Sequence, residues 1–120
     1  MKSFNSNMEK DSPDSANVRK VIYTNKYLQI VLMNLKPGEE IGEKVHIGVI
    51  QFFQFKEGKG KCIVDGNEYC VENGDAIAAP AGAKSNVINT DAERELKMYT
   101  IYTPPDYKDG SINYTTDVSE

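Results

Sequence analysis

The apolar residues of this chain fall into short runs, at 18–23, 27–35, 45–47, 50–55, 61–64, 68–71, 76–79, 85–89 and 95–102. Turn-forming residues separate nearly all of them: Lys36-Pro37-Gly38, Glu57-Gly58-Lys59-Gly60, Asp65-Gly66, Asn73-Gly74-Asp75, Pro80-Ala81-Gly82 and Asn89-Thr90-Asp91. Many short strands at regular spacing predict an all-β sandwich or barrel. No window carries sustained helical periodicity between two caps. In Gln51-Phe52-Phe53-Gln54-Phe55, strand alternation places Gln51, Phe53 and Phe55 on one face. A glutamine sharing a face with two phenylalanines predicts a polar group aimed into an apolar cavity. Residues 27–35 are nearly continuously apolar, which predicts a strand covered on both faces, as between the barrel and a second subunit.

The ends read differently from the middle. Residues 1–17 hold only Met1, Phe4, Met8 and Ala16 as apolar side chains, and residues from 103 onward are mostly polar with scattered tyrosines. The division expected is a flexible N-terminal arm over 1–17, a barrel over 18–103 and a C-terminal extension over 104–120. A chain of 120 residues suits one core. The net charge of −4 and the lack of a basic cluster argue against nucleic acid or an anionic membrane surface as partner. No stretch of about 18 apolar residues is present, and the start lacks the apolar run of a secretion signal, so the cytoplasm is expected. Cys62 and Cys70 flank the Asp65-Gly66 turn. A two-residue turn pairs Cys62 with Tyr69 and sets the sulfurs on opposite faces; a three-residue turn pairs the cysteines. Two reduced strand cysteines are the simpler reading.

Two stretches carry a family resemblance. Gly38 is followed by five residues, then Lys44-Val45-His46, four residues, Gln51, six residues and Gly58. Gly74 is followed by five residues, then Pro80-Ala81-Gly82, two residues, Ser85, three residues and Asn89. These spacings resemble the two cupin motifs. The stretches Gly42-Glu43-Lys44-Val45-His46, Gln51-Phe52-Phe53 and the run from Tyr99 to Pro105 are similar to those of small single-domain cupins related to mannose-6-phosphate isomerase. The resemblance implies a jelly-roll barrel, or double-stranded β-helix, whose motif residues converge inside.

By position, the metal ligands of that family would fall on Lys44, His46, Gln51 and Ser85. Of these only His46, the single histidine of the chain, is a good transition-metal ligand. Gln51 offers a weak amide oxygen and Ser85 a neutral hydroxyl. An ammonium about 4 Å from a divalent ion is repulsive by several kcal/mol at an effective dielectric near 20, so Lys44 opposes a metal. Glu43 is adjacent, but alternation points it outward unless a bulge re-aims it. His46 and Gln51 therefore remain as vestigial metal candidates, and no cofactor is expected beyond a weak divalent transition metal.

Three functions stay open. The first is a non-catalytic or weakly catalytic barrel binding a small polar molecule, sugar-like or sugar-phosphate-like, through Lys44, His46, Gln51, Phe53, Ser85 and Tyr99. Lys44 on the inward face would favour an anionic group. The second is a metal-dependent isomerase or dioxygenase using His46. The third is a structural homodimer without ligand. No Ser-His-Asp or Cys-His nucleophile arrangement can be argued, because Cys62 and Cys70 sit in a hairpin and no histidine besides His46 is present.

Overall fold

The computed structural model describes residues 3–5, 19–106 and the backbone of 112–113. Among them there is no helix, and the strands are β1 (Arg19–Thr24), β2 (Gln29–Leu35), β3 (Lys44–Val45), β4 (Ile50–Glu57), β5 (Lys59–Val64), β6 (Asn67–Glu72), β7 (Ala76–Ala79), β8 (Lys84–Asn89), β9 (Leu96–Thr103) and β10 (Ile112–Asn113). They form a six-stranded sheet, β10-β1-β2-β9-β4-β7, and a four-stranded sheet, β3-β8-β5-β6, with every pairing antiparallel. The all-β architecture expected from the turn spacing, and the jelly roll that the cupin resemblance implies, are what is observed.

Strand ends follow local chemistry. Asn25 Oδ1 accepts from the backbone N–H groups of Tyr27 and Leu28, at 2.8 and 2.9 Å, so the β1–β2 turn takes Tyr27 out of the strand and leaves it exposed. Asp65 and Gly66 both hold positive φ, 49° and 82°, as a two-residue hairpin turn matching strand twist requires. That turn sets Cys62 opposite Tyr69, which buries Cys62 and exposes Cys70. The two-residue alternative is thus the one adopted, and both thiols are free.

The inward faces grade from apolar to polar. Along β2 the inward residues run Leu35, Met33, Val31, Gln29; along β9, Leu96, Met98, Thr100, Tyr102; along β4, Phe55, Phe53, Gln51. Register aligns Leu35 with Leu96 at one end and Gln29 with Tyr102 and Gln51 at the other. Phe55, Leu35, Leu96, Met98, Val87 and Cys62 fill the apolar end. Gly60 lets β8 and β9 close on that end, since a Cβ there would lie 2.4 Å from the Ile88 carbonyl oxygen. Asn89 seals it by donating from Nδ2 to the carbonyls of Leu35 and Arg94, at 3.0 and 2.8 Å.

Two features bear on the strand at 27–35 and on the ends of the chain. The outward Leu32 and Asn34 of β2 are already buried within one chain, Leu32 standing between Lys20 and Tyr99 on the adjacent strands. Double-sided burial of this strand therefore does not require a second subunit. The C-terminal extension also contributes to the sheet, because β10 pairs with the outer edge of β1. The N-terminal arm lies outside the described residues except 3–5, where Phe4 stacks on Tyr23 with ring centroids 5.0 Å apart.

Candidate functional site

The polar end of the barrel is built by five elements. Lys44 of β3 lies directly across from Ser85 of β8, and both sit at the barrel wall, Lys44 half-buried and Ser85 buried. His46 follows β3 in a tight turn. Its carbonyl accepts from the N–H groups of Val49 and Gly82, at 3.3 and 3.0 Å. The second bond ties the Pro80-Ala81-Gly82 loop to the histidine, giving that motif a positioning role. The neighbours Val45 and Ile47 turn outward and are exposed, while the His46 side chain turns in and is buried.

Opposite stands β4. Gln51 is buried and its Oε1 accepts from Ser85 Oγ at 2.9 Å, with Phe53 behind it. The Tyr102 ring of β9 lies 5.8 Å from the His46 ring at 50°. Just beyond β9, Asp106 turns back over the mouth. Its carboxylate meets His46 Nδ1, and its N–H donates to Gln29 Oε1 at 3.2 Å. Gln29 is held from the other side by its own Nε2, which donates to Thr24 Oγ1 at 3.1 Å. The space left between Ile41, Lys44, His46, Gln51, Phe53, Ser85 and Tyr102 is about 10 Å³, room for about one water. Larger depressions, of about 430 Å³ beside Glu43, Asp65 and Lys84 and about 800 Å³ beside Glu57, Lys59, Asp91 and Arg94, lie on the surface.

Of the residues singled out in the sequence, Lys44, His46, Gln51, Phe53 and Ser85 come together around this space. Tyr99 does not. It stands in register between Leu32 and Gln54, on the outer face of the sheet, and Tyr102 takes the place expected of it. Residues 99 and 102 are an odd number apart, so a strand sends them to opposite faces. Parity with the buried Leu96 and Met98 identifies Tyr102 as the inward one. The same parity with Val31, Met33 and Leu35 marks Gln29. Asp106 carries no comparable signal, since it lies beyond the last long strand. Glu43 points outward, as alternation requires, with its carboxylate 3.6 Å from Lys84 Nζ.

The model of the Cupin domain family matches residues 31–102, more than half of the chain. The chain belongs to the cupin family. Among curated proteins this cupin is similar to the uncharacterized protein YrkC of Bacillus subtilis (strain 168), 33% identical over 120 residues that span 95% of this chain and 64% of YrkC. It is also similar to the uncharacterized protein L612 of Acanthamoeba polyphaga mimivirus, 32% identical over 89% of this chain and 69% of that protein. The chain thus spans just under two thirds of the length of YrkC. Among solved structures, BH2720 from Bacillus halodurans superimposes with a TM-score of 0.89 at 32% identity, covering 96% of this chain and 91% of that one. KdgF from Halomonas sp. superimposes with a TM-score of 0.74 at 20% identity, over 88% of this chain and 96% of that one, a likeness of fold alone.

Cupins often bind a metal, and the donor set at this end of the barrel decides whether this one can. Among the described residues, no three or more His, Cys, Asp and Glu side chains cluster as a metal would need. His46 already meets the Asp106 carboxylate, the Gln51 oxygen is engaged by Ser85, and Lys44 adds a cation across from Ser85. One imidazole, one amide, one hydroxyl and one ammonium are poor company for a divalent transition metal. The donor set does not fit it.

Proposed function

We propose that this cupin binds a small polar molecule at the polar end of its barrel and does so without a metal. The observation that carries the reading is the convergence of His46, Gln51 and Ser85, all buried, with the half-buried Lys44 beside them and the Phe53 and Tyr102 rings as walls. Small-molecule sites combine an apolar wall with a few well-placed polar groups in this way. Sugar-like and sugar-phosphate-like compounds fit the class of group presented. A void of about 10 Å³ is too small for such a molecule, so side chains around it move aside when one enters. The test is a thermal-shift and calorimetric screen of neutral sugars, sugar phosphates and carboxylates on the wild type and on Gln51→Leu. A compound that stabilises the wild type and not the variant supports the reading; a screen without any such compound counts against it.

The smallness of the same void favours a second reading, a structural homodimer with no ligand. Ile30, Ile101 and Phe52 align in one row across the outer face of the six-stranded sheet, and each is only half-buried in the single chain. A second copy covering this row would remove it from water. Light scattering at micromolar concentration decides assembly: a dimer is expected under both readings, and a stable monomer argues against it.

A further inference from the structure

Asp106 makes two directed contacts with buried polar groups at this end of the barrel, and one of them, His46, lines the pocket. Its carboxylate meets His46 Nδ1, and its backbone N–H donates to Gln29 Oε1 at 3.2 Å. His46 is 8% exposed and Gln29 is 0% exposed, whereas Asp106 keeps 23% of its side chain in solvent. One partly exposed residue thus bridges a pocket histidine and the buried Gln29 of β2. Only Pro104 and Pro105 separate it from Thr103, the last residue of β9. A side chain on so short a tether competes with any free ligand at an effective concentration on the order of millimolar.

We infer that Asp106 occupies the seat of the pocket's own ligand, and that this ligand is a small carboxylate with a hydroxyl or amino donor on its third carbon. The inference rests on the pocket reading above and narrows it to one class. In aspartate the side-chain carboxyl carbon is followed by one methylene and then by the carbon that bears the N–H. Counting the carboxyl carbon as the first, the donor sits on the third. A 3-hydroxycarboxylate carries an O–H at the same place. Its carboxylate takes His46 Nδ1 and its hydroxyl donates to Gln29 Oε1, which are the two partners Asp106 gives up on leaving. A phosphate would bring a third oxygen and up to a second charge to a seat shaped around a planar monoanion. Exchange of one carboxylate for another keeps the buried imidazole paired throughout, so entry leaves no polar group stranded.

The strap also sets the apparent affinity. When the competent, open state is a minor fraction, the observed dissociation constant rises by the inverse of that fraction. Removing the Asp106 carboxylate removes its competition for His46 and leaves only the backbone N–H contact with Gln29 Oε1.

The experiment uses the full chain, its Asp106→Ala variant and its Asp106→Asn variant. Thermal shift and calorimetry are run with acetate, butyrate, 3-hydroxybutyrate and inorganic phosphate, after far-UV circular dichroism confirms each fold. The expected result is that Asp106→Ala binds 3-hydroxybutyrate about tenfold or more tightly than the wild type. It binds butyrate less well than 3-hydroxybutyrate, and acetate alone raises its melting temperature. If Asp106→Ala does not fold, Asp106→Asn keeps the strap but loses its charge, and the same order is expected with a smaller gap. Equal affinities in wild type and variants overturn the competing role of Asp106. A folded variant that prefers phosphate, or takes no carboxylate, overturns the ligand class. Binding of neutral sugars lost in Gln51→Leu would in that case leave the pocket reading standing.

Discussion

The Ser85 hydroxyl donates to the Gln51 amide oxygen at 2.9 Å, and this bond joins β8 of the four-stranded sheet to β4 of the six-stranded sheet across the polar end of the barrel. Both residues are buried. Ser85→Ala leaves the amide oxygen without its donor, and a buried acceptor stripped of its partner costs about 1–3 kcal/mol. Replacing both residues, as Ser85→Ala with Gln51→Leu, removes donor and acceptor together. The double variant should therefore lose less stability than the two single losses added. Urea denaturation of the four proteins measures this coupling. Strict additivity would show that the bond links the sheets in geometry only.

Gly60 is the place where the backbone of β5 leaves no room for a side chain. A Cβ there meets the Ile88 carbonyl oxygen at 2.4 Å and Leu96 Cδ2 at 2.8 Å. The first of these atoms is backbone and cannot swing away. Gly60→Ala should destabilise by about 1–3 kcal/mol or more, as overpacking does. Gly66→Ala serves as the contrast, because it meets open space and only its positive φ opposes the change. Melting curves should place Gly60→Ala well below Gly66→Ala. The reverse order would mean that β8 yields easily at Ile88.

How far the fold could be read from the chain differs by region. Turn residues and alternation were enough for an all-β sandwich or barrel, because Asp65-Gly66, Asn73-Gly74 and Pro80-Ala81-Gly82 break the chain into short strands, and the motif spacing that resembles cupins narrowed this to the jelly roll. Alternation also placed Gln51 with Phe53 and Phe55, since a strand has only two faces. Tyr99 is misplaced by its aromatic character alone, whereas parity with Leu96 and Met98 sends Tyr102 inward instead. Gln29 is hidden for another reason, since it lies inside the nearly continuous apolar run at 27–35, where neither face stands out. Asp106 was beyond reach for a different reason. Its contact with His46 spans 60 positions along the chain. That contact is made by a segment outside any strand, where no periodicity reports direction.

The two cysteines should behave differently toward a thiol reagent. Register sets Cys62 against Tyr69 and Lys61 against Cys70, so the sulfurs point to opposite faces and do not pair. Burial pushes the Cys62 thiol up to about 11. One thiol, Cys70, should react in the native protein at mildly alkaline pH, and the second only after unfolding. Two fast thiols in the folded protein would contradict the burial of Cys62.

The same raised value has a sign in stability. Folded Cys62 holds its proton to a higher pH than the unfolded thiol does. Its contribution is therefore fully present below the unfolded value of about 9 and is lost as pH rises toward about 11. Cys62→Ala should flatten that alkaline loss of melting temperature, compared with Cys70→Ala, which should leave it unchanged. An equal effect of the two substitutions would assign the loss to other groups.

The final prediction concerns metal. Lys44 and Ser85 are direct partners across β3 and β8, so side chains placed there stand about 4.5–5.5 Å apart at Cβ. That separation suits two ligands of one ion. Lys44→Glu replaces a cation with a carboxylate, and Ser85→His supplies a second imidazole while freeing the Gln51 oxygen from its present donor. With His46, the double variant then offers two imidazoles, a carboxylate and an amide, a set suited to iron, nickel, manganese or zinc. The wild type offers one imidazole, already against Asp106. After dialysis against zinc or nickel and removal of excess ion, elemental analysis should find well under one equivalent in the wild type. The double variant should approach one equivalent, and adding His46→Ala to it should abolish the gain. A wild type that retains a stoichiometric transition metal, lost again in His46→Ala, would overturn the metal-free reading of the pocket. A double variant that folds yet takes up none would show that the closure of the barrel around about 10 Å³, and not the donor types alone, excludes the ion.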